Sequence, residues 1–340
     1  MSPGRNHGQS GAQAATPRHV LLTGATGFVG SHAVAAFVDG GFRVRALVRS
    51  PRKAALLEEL RVEQASGSLE DTASLKRAVA GVDTVVHLAA VTHARTEREY
   101  EDANVAGTRR LLEAAVDSGV RRFVYLSSLA ACGPAEDGRG IGAHDTPRPL
   151  TRYGRSKLAG ERVCQEAADS IEVVILRAPA VYGPRDTDLF HFFRLASRGV
   201  IPVPSGPVRR VQMVHVEDLA RALVHAAGAE SAAGLYHIAE ARSYACEEVA
   251  QLIGAAVGRR VRVMRVPPAL ISGLAAVSET AAGLVGRSSI FNRDKARELL
   301  APAWLCETDA ARAALNYEAD IPLAEGLRAT AQWYREQGWL

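Results

Sequence analysis

From residue 18 to about residue 180 the chain alternates short, continuously apolar runs with longer stretches of helical period. The runs are "HVLLTG", "FRVRALVR", "VDTVVHLAA", "RRFVYLSS" and "IEVVILRAP". A strand that is apolar at successive positions is covered on both faces, and helices of ordinary length between such strands return the chain in parallel. The pattern predicts an α/β fold, a doubly wound parallel sheet over residues 18–185. Beyond about residue 185 the alternation loosens and prolines gather, as in "GPRD" and "VIPVPSGPVRR". A helix "HVEDLARALVHAA", a strand "GLYHIA", a helix "SYACEEVAQLIGAAV" with Ser243 as its N-cap, and a strand "RRVRVMRV" follow. These predict a smaller mixed lobe over residues 186–340, with a substrate cleft between it and the sheet. The sequence contains no internal repeats.

The first 17 residues, "MSPGRNHGQSGAQAATP", lack the apolar core of a signal peptide and are expected to form a disordered leader. The stretch Pro267 to Gly286 is about as long as a membrane span, but it contains Glu279, several Gly and Ser, and opens on two prolines. It predicts a buried or amphipathic helix, with no transmembrane segment and with peripheral membrane contact left open. Forty-one Lys and Arg against 37 Asp and Glu give a net charge of +4 with no block of like charge, which argues against a nucleic-acid partner and for a small-molecule substrate. Cys132, Cys164, Cys246 and Cys306 stand far apart without a CxxC or Cys/His cluster. Neither a metal site nor a disulfide framework is expected, and a reducing cytoplasmic location fits.

Candidate chemistry begins at "LLTGATGFVGSH", where Gly24, Gly27 and Gly30 lie between the first strand and the first helix. Side chains are absent where a turn must be tight and where a helix N-terminus must approach a pyrophosphate, so the context is that of a dinucleotide-binding Rossmann turn. The second strand ends in Val48 and Arg49, with Arg52 and Lys53 beyond, instead of the acidic residue that holds a ribose diol. A guanidinium there suits a 2′-phosphate, so NADP is expected over NAD, which stays second. Tyr153 and Lys157 in "YGRSK" share one side of a helical turn, a spacing that by itself fits a core tyrosine beside a surface lysine equally well.

Seven stretches in order, "TGATGFVG", "HLAA", Asn104 in "NVAGTRRLLEAA", "YLSSLAACG", "YGRSK", "VYGPR" and "HVEDLARAL", give the chain its resemblance to the extended branch of the short-chain dehydrogenase/reductase family. The resemblance spans about residues 18 to 338 and takes in nucleotide-sugar epimerases, dihydroflavonol-reductase-like and 3β-hydroxysteroid-dehydrogenase-like enzymes. It implies a catalytic Ser128, Tyr153 and Lys157. Tyr153 would exchange a proton with the substrate oxygen, Lys157 would hold the nicotinamide ribose and lower the phenol pKa, and Ser128 would hydrogen-bond the reacting oxygen, with Ser127 as the alternative. The cofactor set it implies adds Phe28, Val29, Ser68, Leu69, Leu88, Ala89, Ala90, Ser127, Ala178 and Val181 to the glycines and the basic residues. Ser68 stands where the family commonly has Asp, and Leu69 would pack on the adenine. Asn104 and His87 are expected to be structural.

Within that branch, epimerases carry an Asn where this chain has Ala180 and an Arg where it has Val211, although Arg209 and Arg210 lie just upstream. "SSLAACG" lacks the acidic pair of a dehydratase. The resemblance therefore favours an NADP-dependent oxidoreductase acting on a secondary alcohol or ketone of a fairly apolar, sterol-like molecule. A nucleotide-sugar 4-epimerase is the alternative, and a non-catalytic dinucleotide-binding sensor comes third. The family often dimerises through helices matching Glu99 to Ser118 and Tyr153 to Ala168, so a homodimer is expected.

Overall fold

A computed structural model describes residues 18–49, 55–136, 138–284, 289 and 291–340. The leader, Arg52, Lys53 and the end of the Pro267 to Gly286 stretch lie outside the described residues. The first part of the chain runs β1 (His19–Thr23), α1 (Phe28–Asp39), β2 (Arg43–Val48), α2 (Ala55–Glu59), β3 (Glu63–Ser66), α3 (Thr72–Val79), β4 (Thr84–His87), α4 (Glu97–Glu101), a π-helical turn (Asp102–Ala106), α5 (Gly107–Asp117), β5 (Arg122–Ser128), α6 (Arg152–Glu166) and β6 (Glu172–Ala178). All five runs read as strands are strands. Only β3, short and half-exposed, escaped the apolar pattern.

The second part runs β7 (Ala180–Tyr182), α7 (Phe190–Ser197), β8 (Val200–Pro204), β9 (Arg210–Val211), β10 (Met213–His215), α8 (Val216–Gly228), β11 (Gly234–His237), β12 (Tyr244–Ala245), α9 (Cys246–Ala256), β13 (Arg262–Val266), α10 (Pro268–Leu284), α11 (Arg293–Leu300), β14 (Ala303–Trp304), α12 (Asp309–Leu315) and α13 (Leu323–Glu336). The central sheet has the order β3-β2-β1-β4-β5-β6-β11, parallel at every pairing. The order reverses beside β1, and ligands bind at such a switch point because the loops leaving the two strands diverge there.

Residues on alternate faces of the strands feed two cores. One gathers Val20, Leu22, Val86, Val124 and Val174 with α1 and α8, and the other gathers Leu21, Val85, Phe123 and Ile175 with α3, α5 and α6. Thus α8 and β11 return from the second part to cover one face and one edge of the sheet, and the chain has no clean seam at residue 185. The remaining later elements form a third core around Phe193, Ile253, Leu327 and Tyr334. Ser243 does not cap α9. That helix starts at Cys246 after the short strand β12, and the Ser243 hydroxyl and carbonyl instead accept from Arg210. Among the described residues no helix is long and apolar enough to cross a membrane.

Candidate active site

β1 ends at the glycine turn. Gly24 takes a left-handed φ of 72°, and a Cβ on Gly30 would run into the Gly24 carbonyl, so the turn and the helix can meet only without side chains. Gly27 is the N-cap of α1 and offers no side-chain acceptor. The first N–H groups of α1, from Phe28 and Val29 onward, are therefore not capped by a side chain of Gly27 and suit an anion.

β5 ends beside this turn at Ser127 and Ser128, whose hydroxyls go opposite ways. Ser127 is buried and donates to Glu161, which forms a two-pronged buried ion pair with Arg177 at 2.9 and 2.6 Å. Ser128 faces the cleft, and its Oγ accepts from the Ala130 amide at 3.2 Å. α6 is pressed against this strand end, because a Cβ on Gly154 would collide with the Ala130 carbonyl. That close approach brings the half-buried Tyr153 beside Ser128 at the cavity wall. One turn on, the buried Lys157 gives its Nζ to the Leu126 carbonyl at 2.7 Å and lies 4.1 Å from the centre of the Tyr125 ring.

The expectation that Lys157 depresses the Tyr153 pKa is corrected here. The phenol stands well above its ordinary value, chiefly because it is buried and secondly because of the Glu298 carboxylate, with the neighbouring Ser128 hydroxyl acting the other way. The ammonium is drawn onto the Leu126 carbonyl and the Tyr125 face, and burial brings it down to about 8, against the pull of Glu161.

The parts behind the site are braced. His87 Nδ1 meets Thr23 Oγ1 at 2.7 Å and Nε2 meets Thr108 Oγ1 at 2.9 Å, tying β4 to β1 and α5. Burial, with Lys157 adding to it, lowers His87 to about 3, so it is a neutral structural link. The π-helical turn places Asn104 so that its side chain bonds the Val91 amide and carbonyl and Ser156 Oγ. An extra residue in one helical turn aims a side chain that regular geometry would misdirect.

Ser128 and Tyr153 open onto a cavity of about 360 Å³ between the sheet rim and the later elements. Leu129, Pro179, Val211, Leu299 and Trp304 give it apolar walls, and its polar groups include Asp188, Asp294, Lys295 and Glu298. Lys295 pairs with Glu298 at 3.2 Å and His93 lies 3.5 Å from Asp188. Arg209 reaches the wall, but its Nε and Nη1 are spent on the carbonyls of Leu300, Pro204, Ser205 and Pro207.

The sequence profile of the NAD-dependent epimerase/dehydratase family matches residues 20–239. The chain belongs to that family, in the extended branch of the short-chain dehydrogenases/reductases. Over 324 residues it is 35% identical to the ceramide reductase of Caulobacter vibrioides, covering 94% of this chain and 96% of that protein. Among solved structures, gox2253 matches with a TM-score of 0.78 at 25% identity, over 94% of this chain and 99% of the other. MoeE5 in complex with UDP-glucose and NAD matches with a TM-score of 0.75 at 27% identity, over 94% and 99%.

As a member of this NAD(P)-dependent enzyme family, the chain presents the remaining cofactor candidates along one edge of its sheet. Leu88, Ala89 and Ala90 leave β4, with the Ala89 amide on Thr23 Oγ1 and against Gly24. Ala178 and Val181 flank the end of β6, and Arg49 is exposed just past β2. Ser68 is turned into its own loop, where its hydroxyl accepts from the Glu70 amide, while Leu69 packs against Gly107. The reading from sequence missed the Glu161 and Arg177 pair and the contribution of α11 to the cavity. Only the spacing of Glu161 four residues after Lys157, on the same helix face, hinted at the first.

Proposed function

We propose that this enzyme is an NADP-dependent ketone reductase acting on an apolar, lipid-like molecule, with the reverse oxidation of the secondary alcohol as the same chemistry. The observation that carries the reading is the state of the cavity wall where a sugar nucleotide would need cations. Val211 is apolar, Arg209 is committed to four backbone carbonyls, Arg210 is turned away onto Ser243, Lys295 is paired with Glu298, and the Asp188 carboxylate faces the space. A diphosphate there would forgo charge-assisted hydrogen bonds of about 1.5–3 kcal/mol each and would meet like charge. Similarity along almost the whole chain to a ceramide reductase supports the same substrate class.

The glycine turn, the uncapped start of α1 and Arg49 fit a dinucleotide with a 2′-phosphate. When bound, the nicotinamide supplies the hydride. Tyr153, kept neutral by its raised pKa, donates its phenolic proton to the carbonyl oxygen, and Ser128 holds that oxygen by a second hydrogen bond. Lys157, fixed by the Leu126 carbonyl, would hold the nicotinamide ribose hydroxyls. The apolar walls keep water from the reacting carbon. A raised phenol pKa keeps the proton on Tyr153 near neutral pH, the form that reduction requires.

The test is a comparison of NADPH consumption with a detergent-dispersed long-chain ketone, a sterol ketone and UDP-glucose. Turnover of either ketone without conversion of UDP-glucose is expected. Formation of UDP-galactose would replace this reading with a 4-epimerase.

A further inference from the structure

Helix α10 carries its large apolar residues on the wrong side for a core. Leu270, Leu274 and Val277 are 53%, 53% and 68% exposed, and Leu284 is 85% exposed. At 3.6 residues per turn these four and Ala281 fall within a stripe about 80° wide. The opposite side holds Ile271 and Ala275, which pack on Ala296, Phe291 and Leu300 of the α11 region. The only carboxylate of α10, Glu279, is turned inward to Arg152 and Arg293. The exposed stripe is therefore free of acid.

The segment leading into this helix is basic. Arg259, Arg260 and Arg262 are exposed and have no carboxylate partner among the described residues, whereas Arg265 pairs with Glu247. Met264, 48% exposed, stands between Arg262 and Arg265 on β13. An apolar helical stripe that unneutralised arginines precede in the chain is complementary to a surface that is greasy within and anionic at its edge. A second copy of this chain fits less well, because in a twofold contact the facing patch is this same one, and among the described residues it brings no free carboxylate to the arginines.

We propose that α10 and β13 form a docking surface for an anionic lipid bilayer, with the α10 stripe in the acyl boundary and Arg259, Arg260 and Arg262 at the headgroups. The placement gives the surface a purpose. α11, on which α10 is seated, supplies Asp294, Lys295, Glu298 and Leu299 to the cavity that Tyr153 faces. A bilayer under α10 thus lies next to the site, where an apolar molecule can pass without crossing water. Binding is read without turnover, so its failure leaves the reductase reading standing.

Cosedimentation with vesicles of phosphatidylcholine alone, or of phosphatidylcholine with phosphatidylglycerol, tests the surface. The full chain is expected on the anionic vesicles, and both Leu274→Glu/Val277→Glu and Arg259→Gln/Arg260→Gln/Arg262→Gln are expected to bind about tenfold or more weakly. Unchanged NADPH affinity in both variants shows that they are folded. No binding by the parent chain, equal binding to uncharged vesicles, or variants that bind like the parent would each overturn the proposal. So would a change in oligomeric mass caused by Leu274→Glu/Val277→Glu, measured by light scattering, which would assign the stripe to a second copy.

Discussion

Arg152 gives both its backbone amide, at 3.1 Å, and its Nε, at 2.9 Å, to one carboxylate oxygen of Asp294. The residue before Tyr153 is thereby fastened to the helix that closes the cavity, and Glu279 of α10 holds the same guanidinium at 3.1 Å. Burial alone would raise Asp294, but the hydrogen bonds and charge of Arg152 outweigh it and hold the carboxyl below its ordinary range. α6 and the helix that lines the cavity are thus joined as one unit.

Asp294→Asn should loosen that unit. It removes a largely buried charge from an ion pair whose other member stays, so a stability loss of about 1–3 kcal/mol is expected by urea unfolding. Turnover should fall while NADPH affinity is unchanged, since the glycine turn lies elsewhere. A variant as stable and as active as the parent would show the contact to be ornamental.

Tyr153→Phe keeps the ring and deletes the proton. A fall in kcat of about 10²–10⁴-fold is expected, with the dissociation constant for NADPH nearly unchanged. Equal activity in the variant would remove Tyr153 from the mechanism.

How much of this could be read from the letters depends on where the information is local. The strands β1, β2, β4, β5 and β6 announce themselves because each is buried on both faces, and Gly24, Gly27 and Gly30 because a tight turn admits nothing larger. Ser128, Tyr153 and Lys157 do meet at one rim, a convergence the parallel sheet guarantees. The raised pKa of Tyr153 was out of reach, since it comes from burial and from Glu298, a residue 145 positions later in the sequence. Arg209 looked free for a diphosphate until the carbonyls around it were seen. Ser243 looked like a cap because nothing local reveals that Arg210 claims it.

His237 links the fold to pH. Burial, reinforced by Arg177, lowers it to about 4, with Asp145 and the Cys132 thiol nearby. The unfolded chain takes up this proton below about pH 6.5, whereas the folded one refuses it until about 4, so the histidine costs stability as pH falls, at about 1.4 kcal/mol per unit. His237→Gln cannot titrate. Urea unfolding at several pH values between those limits should show the parent losing ground to the variant by that slope, and parallel curves would contradict it.

On the proposed reading, Arg49 selects the nucleotide. It is exposed directly after β2, at the position where a ribose-binding acid would stand for NAD. One charge-assisted hydrogen bond to a 2′-phosphate is worth about 1.5–3 kcal/mol, so Arg49→Asp should weaken NADPH by about 10–100-fold and leave NADH equal or tighter. Fluorescence titration of both nucleotides measures this, and an unaltered ratio would put the preference elsewhere.

On the proposed reading, Lys157 sets the alkaline limit of reduction. Its ammonium is lowered to about 8 by burial, and the free enzyme's essential groups appear in the pH profile of kcat/KM. As pH rises through that value the cation that would hold the ribose is lost, so kcat/KM for ketone reduction should decline above about 8, while Tyr153, raised by its burial, still holds its proton. Lys157→Arg keeps the charge at any accessible pH. Its activity will be lower because a guanidinium cannot copy the bond to the Leu126 carbonyl, but its profile should stay level where the parent declines. If both profiles fall together, the limb belongs to another group and Lys157 has no titrating role in the reaction.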